Sequence, residues 1–176
     1  MSRPDETGYA LFDTAVGRCG IGWTALGIAA LQLPEPTDEQ TRARLHRRLP
    51  DAVERTPSPV AGEAIDRITA LLAEGTEDLS DIPLDLTGVS PFDQQVYRAA
   101  RTVPPGCTAT YGAIAKLTGS PGAAREVGRA LGRNPFAIIV PCHRVLAAGG
   151  RLGGFSANGG VQTKIAMLVA EGALLG

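Results

Sequence analysis

Few residues are available to staple this chain. Three cysteines and two histidines occur in 176 residues. Cys19, Cys107 and Cys142 are scattered, no CxxC pair occurs, and His46 and His143 are far apart. This pattern excludes a disulfide framework and a structural metal site, and it fits free thiols in a reducing compartment. No run approaches eighteen uninterrupted apolar residues, which excludes a transmembrane helix. The opening "MSRPDETGY" has no apolar signal core, so the protein is read as cytoplasmic. "GGRLGG" lacks the GxGxxG spacing and a strand–helix context, so it is not a nucleotide loop. No internal repeat is present. Aromatic residues are sparse, at 5%.

What remains is globular: 44% hydrophobic and 20% charged residues, enough for one ordinary domain or two small ones. The net charge of −1 hides a division. Residues 1–90 carry 8 Lys and Arg against 15 Asp and Glu (−7), and residues 91–176 carry 9 against 3 (+6). Either the second half meets a polyanion or the composition simply drifts between domains.

The first half opens with "GYALFDTAVGRCGIGW", two apolar runs around a turn, which predicts a β-hairpin. "ALGIAALQL" (25–33) predicts a third strand ended by Pro34 and Pro36. Residues 38–49 predict a helix capped by Thr37 or Asp38, with Leu45 and Leu49 on one face. Residues 60–75 predict an amphipathic helix with Ala61, Ala64, Ile65, Ile68, Leu71 and Leu72 inward and Gly75 as its stop. "DIPLDLTGVSP" (81–91) reads as extended and holds the boundary between a domain 1–86 and a domain 87–176.

The second half is mainly helical. Residues 91–103 place Phe92, Val96 and Ala99 or Ala100 on one side behind a Ser90 cap. "YGAIAKLTG" (111–119) is a short helix, and 120–132 begins another with Ser120 as cap and Pro121 in its first turn. Two short helices so joined read as a helix-turn-helix. In the second, Ala124, Val127 and Leu131 face inward, whereas Arg125, Arg129 and Arg133 recur every four residues outside. Small residues, Ala123 and Gly128 among them, lie between. Such a face suits close approach to a nucleic-acid backbone from the minor groove with an inserted arginine; it also suits a solvated face. Cys19 and Cys107 read as core residues, and His46 as part of a solvated helix face.

"FAIIVPCHRV" (136–145) predicts a buried strand leading into Cys142. A free thiol is mostly protonated at neutral pH and needs a base or a positive field to become a nucleophile. His143 and Arg144 are adjacent, but neighbours in sequence usually point apart, so a bridging water would connect thiol and imidazole. A basic histidine needs an orienting carboxylate. Outside the acidic half only Asp93, Glu126 and Glu171 are available, and Glu171 is the best candidate by elimination. The plain alternative for Cys142 is a buried inert thiol. Against it stand Pro141, the polar neighbours and the Gly-rich stretch that follows.

With "TYGAIA", "AAREVGRALGRNP", "IIVPCHRV" and "LVAEG" in this order, residues 92–172 resemble the O6-alkylguanine-DNA alkyltransferase family, the methylated-DNA–protein-cysteine methyltransferases. The resemblance implies an α+β fold: a variable α/β N-terminal domain with a short antiparallel sheet, and a mainly helical, winged-helix-like C-terminal domain. It implies stoichiometric transfer of an alkyl group from O6-alkylguanine in double-stranded DNA to Cys142, with the damaged nucleotide flipped out. His143 would be the water-linked base, Glu171 its partner, Tyr111 a proton donor to the leaving guanine and Asn134 the brace of the turn before the active site. Arg125 would enter the base stack, with Ala123, Ala124, Gly128 and Arg129 along the DNA, and Val145, Phe155, Ser156 and Lys164 would form the substrate pocket. No cofactor and no membrane are implied, and the protein would be a monomer that can cluster on DNA. Phe155 replaces a usual tyrosine and "FSANGG" is longer than the common loop, which bears on pocket size. Some relatives carry zinc in the first domain, but Cys19 and His46 alone do not support it. The rival readings are a cysteine hydrolase or redox enzyme, a non-catalytic sensor of alkylated DNA, and an alkylation-responsive regulator.

Overall fold

The computed structural model describes residues 6–152 and 160–173. The hairpin forms as its two apolar runs around a turn predict. Strand β1 (Gly8–Thr14) pairs antiparallel with β2 (Gly17–Thr24), Thr14 facing Gly17 across a two-residue turn. β3 (Gly27–Gln32) adds antiparallel to β2. Helix α1 (Asp38–Arg48) follows, and Thr37 rather than Asp38 is its cap: Thr37 and Gln40 exchange side-chain to backbone hydrogen bonds in a capping box. The two-residue strand β4 (Val53–Glu54) then pairs parallel with β1, so the sheet is mixed, in order β3-β2-β1-β4, and not purely antiparallel.

Alternation in β2 sends Cys19, Ile21 and Trp23 into the core, while Gly20 and Gly22 face α1. A Cβ at either glycine would come within 2.5 Å of a methyl of Leu45 or Leu49, so the bare backbone lets α1 lie close. On the other face packs α2 (Pro59–Glu74), capped by Ser58 and stopped by a left-handed Gly75. Ala61, Ala64, Ile68, Leu71 and Leu72 are buried as the stripe predicts, and Ile65 is half-buried.

The second half begins with α3 (Pro91–Ala100), capped by Ser90. A turn leads to β5 (Ala109–Thr110) and α4 (Tyr111–Leu117), capped by Thr110. Helix α5 (Ala124–Gly132) starts later than expected and is preceded by Ala123, not capped by Ser120. The reason is local. Gly119, left-handed, and Ser120 close the end of α4 by donating to the Lys116 and Ala115 carbonyls, and the helical ladder of α5 begins only with Val127 donating to the Ala123 carbonyl. The Ser120 carbonyl then accepts from Ala123 in a further turn. Helices α3, α4 and α5 pack on one another, and the Tyr97 hydroxyl donates to the Ala130 carbonyl at 2.7 Å.

Residues 136–140 are not the expected strand. Their apolar content reflects burial on all sides: they form a tight turn with single-residue bridges, Phe136 to Leu31 and Ala137 to Val140, and Ile138 is left-handed (φ 72). A short β6 (Val145–Leu146) then pairs parallel with β5, and α6 (Val161–Ala170) closes the described chain. One apolar cluster runs from Cys19, Ile21 and Trp23 through α2 to Ile114, Val127, Phe136 and Met167. Cys107, expected in the core, is exposed in the turn after α3. No helix among the described residues is long and apolar enough to cross a membrane.

Candidate active site

Two backbone ties set the position of Cys142. The outer edge of β3 holds the approach, the Leu31 N–H donating to the Pro135 carbonyl at 2.8 Å. Asn134 closes the turn, donating to the Val140 carbonyl at 3.0 Å and accepting from the Phe136 N–H at 2.8 Å. Asn134 thus ties this segment at both ends, and a turn, not a strand, leads to the cysteine.

Cys142–Arg144 form a single 3₁₀ turn after Pro141. Its tight pitch sends neighbouring side chains in different directions. Cys142 is half-buried and lines a cavity of about 600 Å³. Tyr111, Gly128, Asn134 and Lys164 share that cavity. The β5–β6 pairing, Thr110 beside Leu146, brings the start of α4, and so Tyr111, to this place. Leu31, Glu35 and Arg44 close the cavity from the first half, with Glu35 and Arg44 paired at 3.2 Å. This contribution of the first half left no sign in the sequence.

His143 and Arg144 point the other way, into the protein. The His143 ring is fully buried, and its Nε2 lies 2.9 Å from Glu171 Oε2. Arg144 forks onto the same carboxylate, Nε to Oε1 at 2.8 Å and Nη2 to Oε2 at 2.7 Å, and its Nη1 donates to the Val103 carbonyl at 2.8 Å. Glu171, chosen from three acids, is therefore the partner of His143. Arg144 is the member that sequence reasoning did not place. Its signal was present: a guanidinium inside an apolar stretch needs a buried acid, and the second half has three.

Electrostatics assign the protons. Burial would raise the Glu171 pKa, but the hydrogen bonds from Arg144 and His143 outweigh it and hold the pKa down at about 2. Burial lowers the pKa of His143 despite the opposing pull of Glu171, so the imidazole is neutral at pH 7. A carboxylate only accepts, so the imidazole proton sits on Nε2 and Nδ1 carries the lone pair. Nδ1 is buried and has no hydrogen-bond partner among the described residues. The triad is thus a neutral base with one free acceptor nitrogen. Burial raises the Cys142 pKa, while Asn134 and the charge of Lys164 pull it the other way, so the resting thiol is protonated and needs that base. Burial raises the Tyr111 pKa, and a Cys142 thiolate would raise it further, so its hydroxyl stays a donor.

Lys164 is buried in α6 and donates to the Val145 carbonyl at 2.9 Å and the Leu152 carbonyl at 2.6 Å. Val145 itself lies in the core and meets the site through this carbonyl. Phe155 and Ser156 lie outside the described residues. On α5, Arg125 and Arg129 are exposed, whereas Arg133 is engaged by Asp93 through two hydrogen bonds, at 3.1 and 2.8 Å. Arg133 is exposed as well, so all three arginines lie on the outside as expected, and Arg133 differs only in being paired with Asp93. Ala123 and Ala124 are half-buried at the start of this helix.

The model of the DNA-binding domain of 6-O-methylguanine DNA methyltransferase matches residues 91–173. A methylated-DNA–protein-cysteine methyltransferase of Mycobacterium tuberculosis is 39% identical over 164 residues, 93% of this chain and 91% of that protein. This chain belongs to the methylated-DNA–protein-cysteine methyltransferase family. A crystal structure of the M. tuberculosis O6-methylguanine methyltransferase superposes with a TM-score of 0.74 at 38% identity, covering 95% of this chain and 93% of that one. A crystal structure of M. tuberculosis OGT in complex with DNA gives 0.73 at 36% identity, with 94% of each chain covered. Membership thus extends across both halves, although the telling motifs lie in the second.

Proposed function

We propose that the chain repairs DNA by moving an alkyl group from O6 of guanine to Cys142 Sγ, once per molecule. The observation that carries this reading is the buried, neutral His143 with Nε2–H committed to Glu171 and Nδ1 left to accept. Through a bridging water, Nδ1 takes the thiol proton. Sulfur attacks the alkyl carbon, a C–S bond forms, and the C–O6 bond breaks with its electron pair going to guanine. The Tyr111 hydroxyl gives the leaving base a proton, which removes the charge that would otherwise develop on it. The thiol proton then replaces the one Tyr111 has given. The products are neutral guanine and a thioether that has no hydrolytic exit.

The target atom is reached only when the nucleotide leaves the stack, at a cost of a few kcal/mol, less for a weakly paired lesion. In this reading α4 and α5 act as a helix-turn-helix. Arg125 enters the stack from the minor groove, and Ala123, Ala124, Gly128 and Arg129 lie along the DNA. Val145, Phe155, Ser156 and Lys164 belong to the base pocket, and residues 87–176 form the reactive domain behind a supporting domain 1–86. Intact-mass measurement after incubation with O6-methylguanine duplex tests the reading. The expected result is a gain of one methylene on the Cys142 peptide, never exceeding one equivalent. Release of many products per molecule, or a modified atom elsewhere, overturns it.

A further inference from the structure

Two glycines outside α6 grip the backbone that carries Glu171. Gly75 is the left-handed end of α2 (φ 83), in the first half of the chain. A Cβ there would overlap the Ala170 carbonyl oxygen and stand 3.1 Å from Glu171 Cα. Gly106, also left-handed (φ 86), lies in the turn after α3, and a Cβ on it would stand 3.3 Å from the Glu171 carbonyl oxygen. The end of α2 cannot easily yield. The Gly75 N–H is held by the Leu71 carbonyl at 2.7 Å, and Leu71 and Leu72 are in the core. The next loop is tied by Arg67 to Glu77, Asp81 and the Asp78 carbonyl, and by Arg101 to the Leu79 and Ile82 carbonyls. A side chain at 75 is therefore relieved by moving residues 170 and 171.

We propose that Gly75 and Gly106 are positioning residues for Glu171, so that the first half of the chain, which supplies no reacting group, shares through Gly75 in setting the geometry of the proton-accepting His143. The inference rests on the alkyl-transfer reading above. Its force comes from short hydrogen bonds: Glu171 holds His143 at 2.9 Å and Arg144 at 2.7 and 2.8 Å, and such bonds weaken steeply as they lengthen or bend.

The test compares Gly75→Ala with Gly88→Ala. Gly88 is left-handed as well (φ 81) but has nothing within 4 Å of its would-be Cβ, so it carries the same backbone strain without the overlap. Two quantities are read: the ¹⁵N NMR titration of the His143 ring in the free protein, and the single-turnover transfer rate against pH. In Gly75→Ala the transfer rate is expected to fall about ten- to a hundredfold. The His143 midpoint and the acid limb of the rate profile should move together to lower pH, because the carboxylate that favours imidazolium has shifted. Gly88→Ala should match the unaltered protein in both. A folded Gly75→Ala with unaltered titration and rate, or a Gly88→Ala showing the same losses, overturns the proposal. Should Gly75→Ala fail to fold, Gly106→Ala, a milder approach to the same residue, decides: a lowered His143 midpoint supports the clasp and an unchanged one refutes it. The titration needs no DNA. An unaltered protein that takes up no alkyl group would overturn the transfer reading, and the titration would still judge the clasp.

Discussion

At the scale of single residues, adjacency in sequence and proximity in function separate. Cys142 and His143 are neighbours that face opposite sides of one 3₁₀ turn, the thiol toward the cavity and the ring toward Glu171. In the proposed mechanism a water bridges them, and burial keeps the thiol protonated at rest. Cys142→Ser should abolish uptake of the alkyl group in mass analysis while leaving affinity for duplex DNA, read by fluorescence anisotropy, within about twofold, because it changes one atom and leaves every phosphate-binding group in place. His143 sets the pH dependence. Its pKa is lowered by burial, so the base form persists below the ordinary midpoint of about 6.5. The transfer rate should therefore stay flat as pH falls through that value and decline only under more acid conditions; a midpoint at or above it would contradict a buried neutral imidazole.

At the scale of elements, the proposed contact with DNA falls to α5. Helix α5 buries Val127, Ala130 and Leu131, and it presents Arg125 and Arg129 outward, while Arg133, also exposed, is paired with Asp93. Arg125→Ala should slow repair in duplex DNA by a larger factor than it slows attack on a free O6-alkylguanine base, since only the duplex needs a gap filled. Equal losses would exclude Arg125 from the stack. Removing Arg129, which lies along the backbone in this reading, should lower the steepness with which affinity falls as salt rises, by about one unit of slope for the phosphate no longer neutralised. The late start of α5 belongs to this scale too. Ser120 followed by Pro121 has the form of a helix start, but the Ser120 carbonyl closes a separate turn with the Ala123 N–H, and the helix begins from Ala123.

For the whole molecule, the buried pair of Glu171 with His143 and Arg144 links stability to pH. Glu171 titrates at about 2 when folded against an ordinary 4.5, so its stabilisation is complete above the unfolded value and is lost as pH falls through the folded one. The difference corresponds to something on the order of 3 kcal/mol. His143, with its folded pKa depressed, adds to the same trend by favouring the unfolded chain once pH drops below its ordinary value. Thermal melts should show a midpoint falling between about pH 5 and 2, and Glu171→Gln should flatten that fall while lowering the midpoint at neutral pH.

Periodicity, caps and turn residues determined the hairpin, the stripe of α2, the Ser90 cap and the arginine face, because each depends on interactions within a few residues. The pairing of Glu171 with His143 was legible for a different reason: the second half contains so few acids that chemistry left little choice. Tertiary structure decided what depends on distant partners. The run Phe136–Val140 became a turn because burial, not pairing, explains its apolar side chains. Arg144 joined Glu171 across 27 positions, and Arg133 turned to Asp93 across 40. The wall of the cavity came from Glu35 and Arg44, and the seat of Glu171 from Gly75, all in the half of the chain that contributes no reacting atom. Such arrangements are set by packing between segments remote in sequence, and no local pattern encodes them.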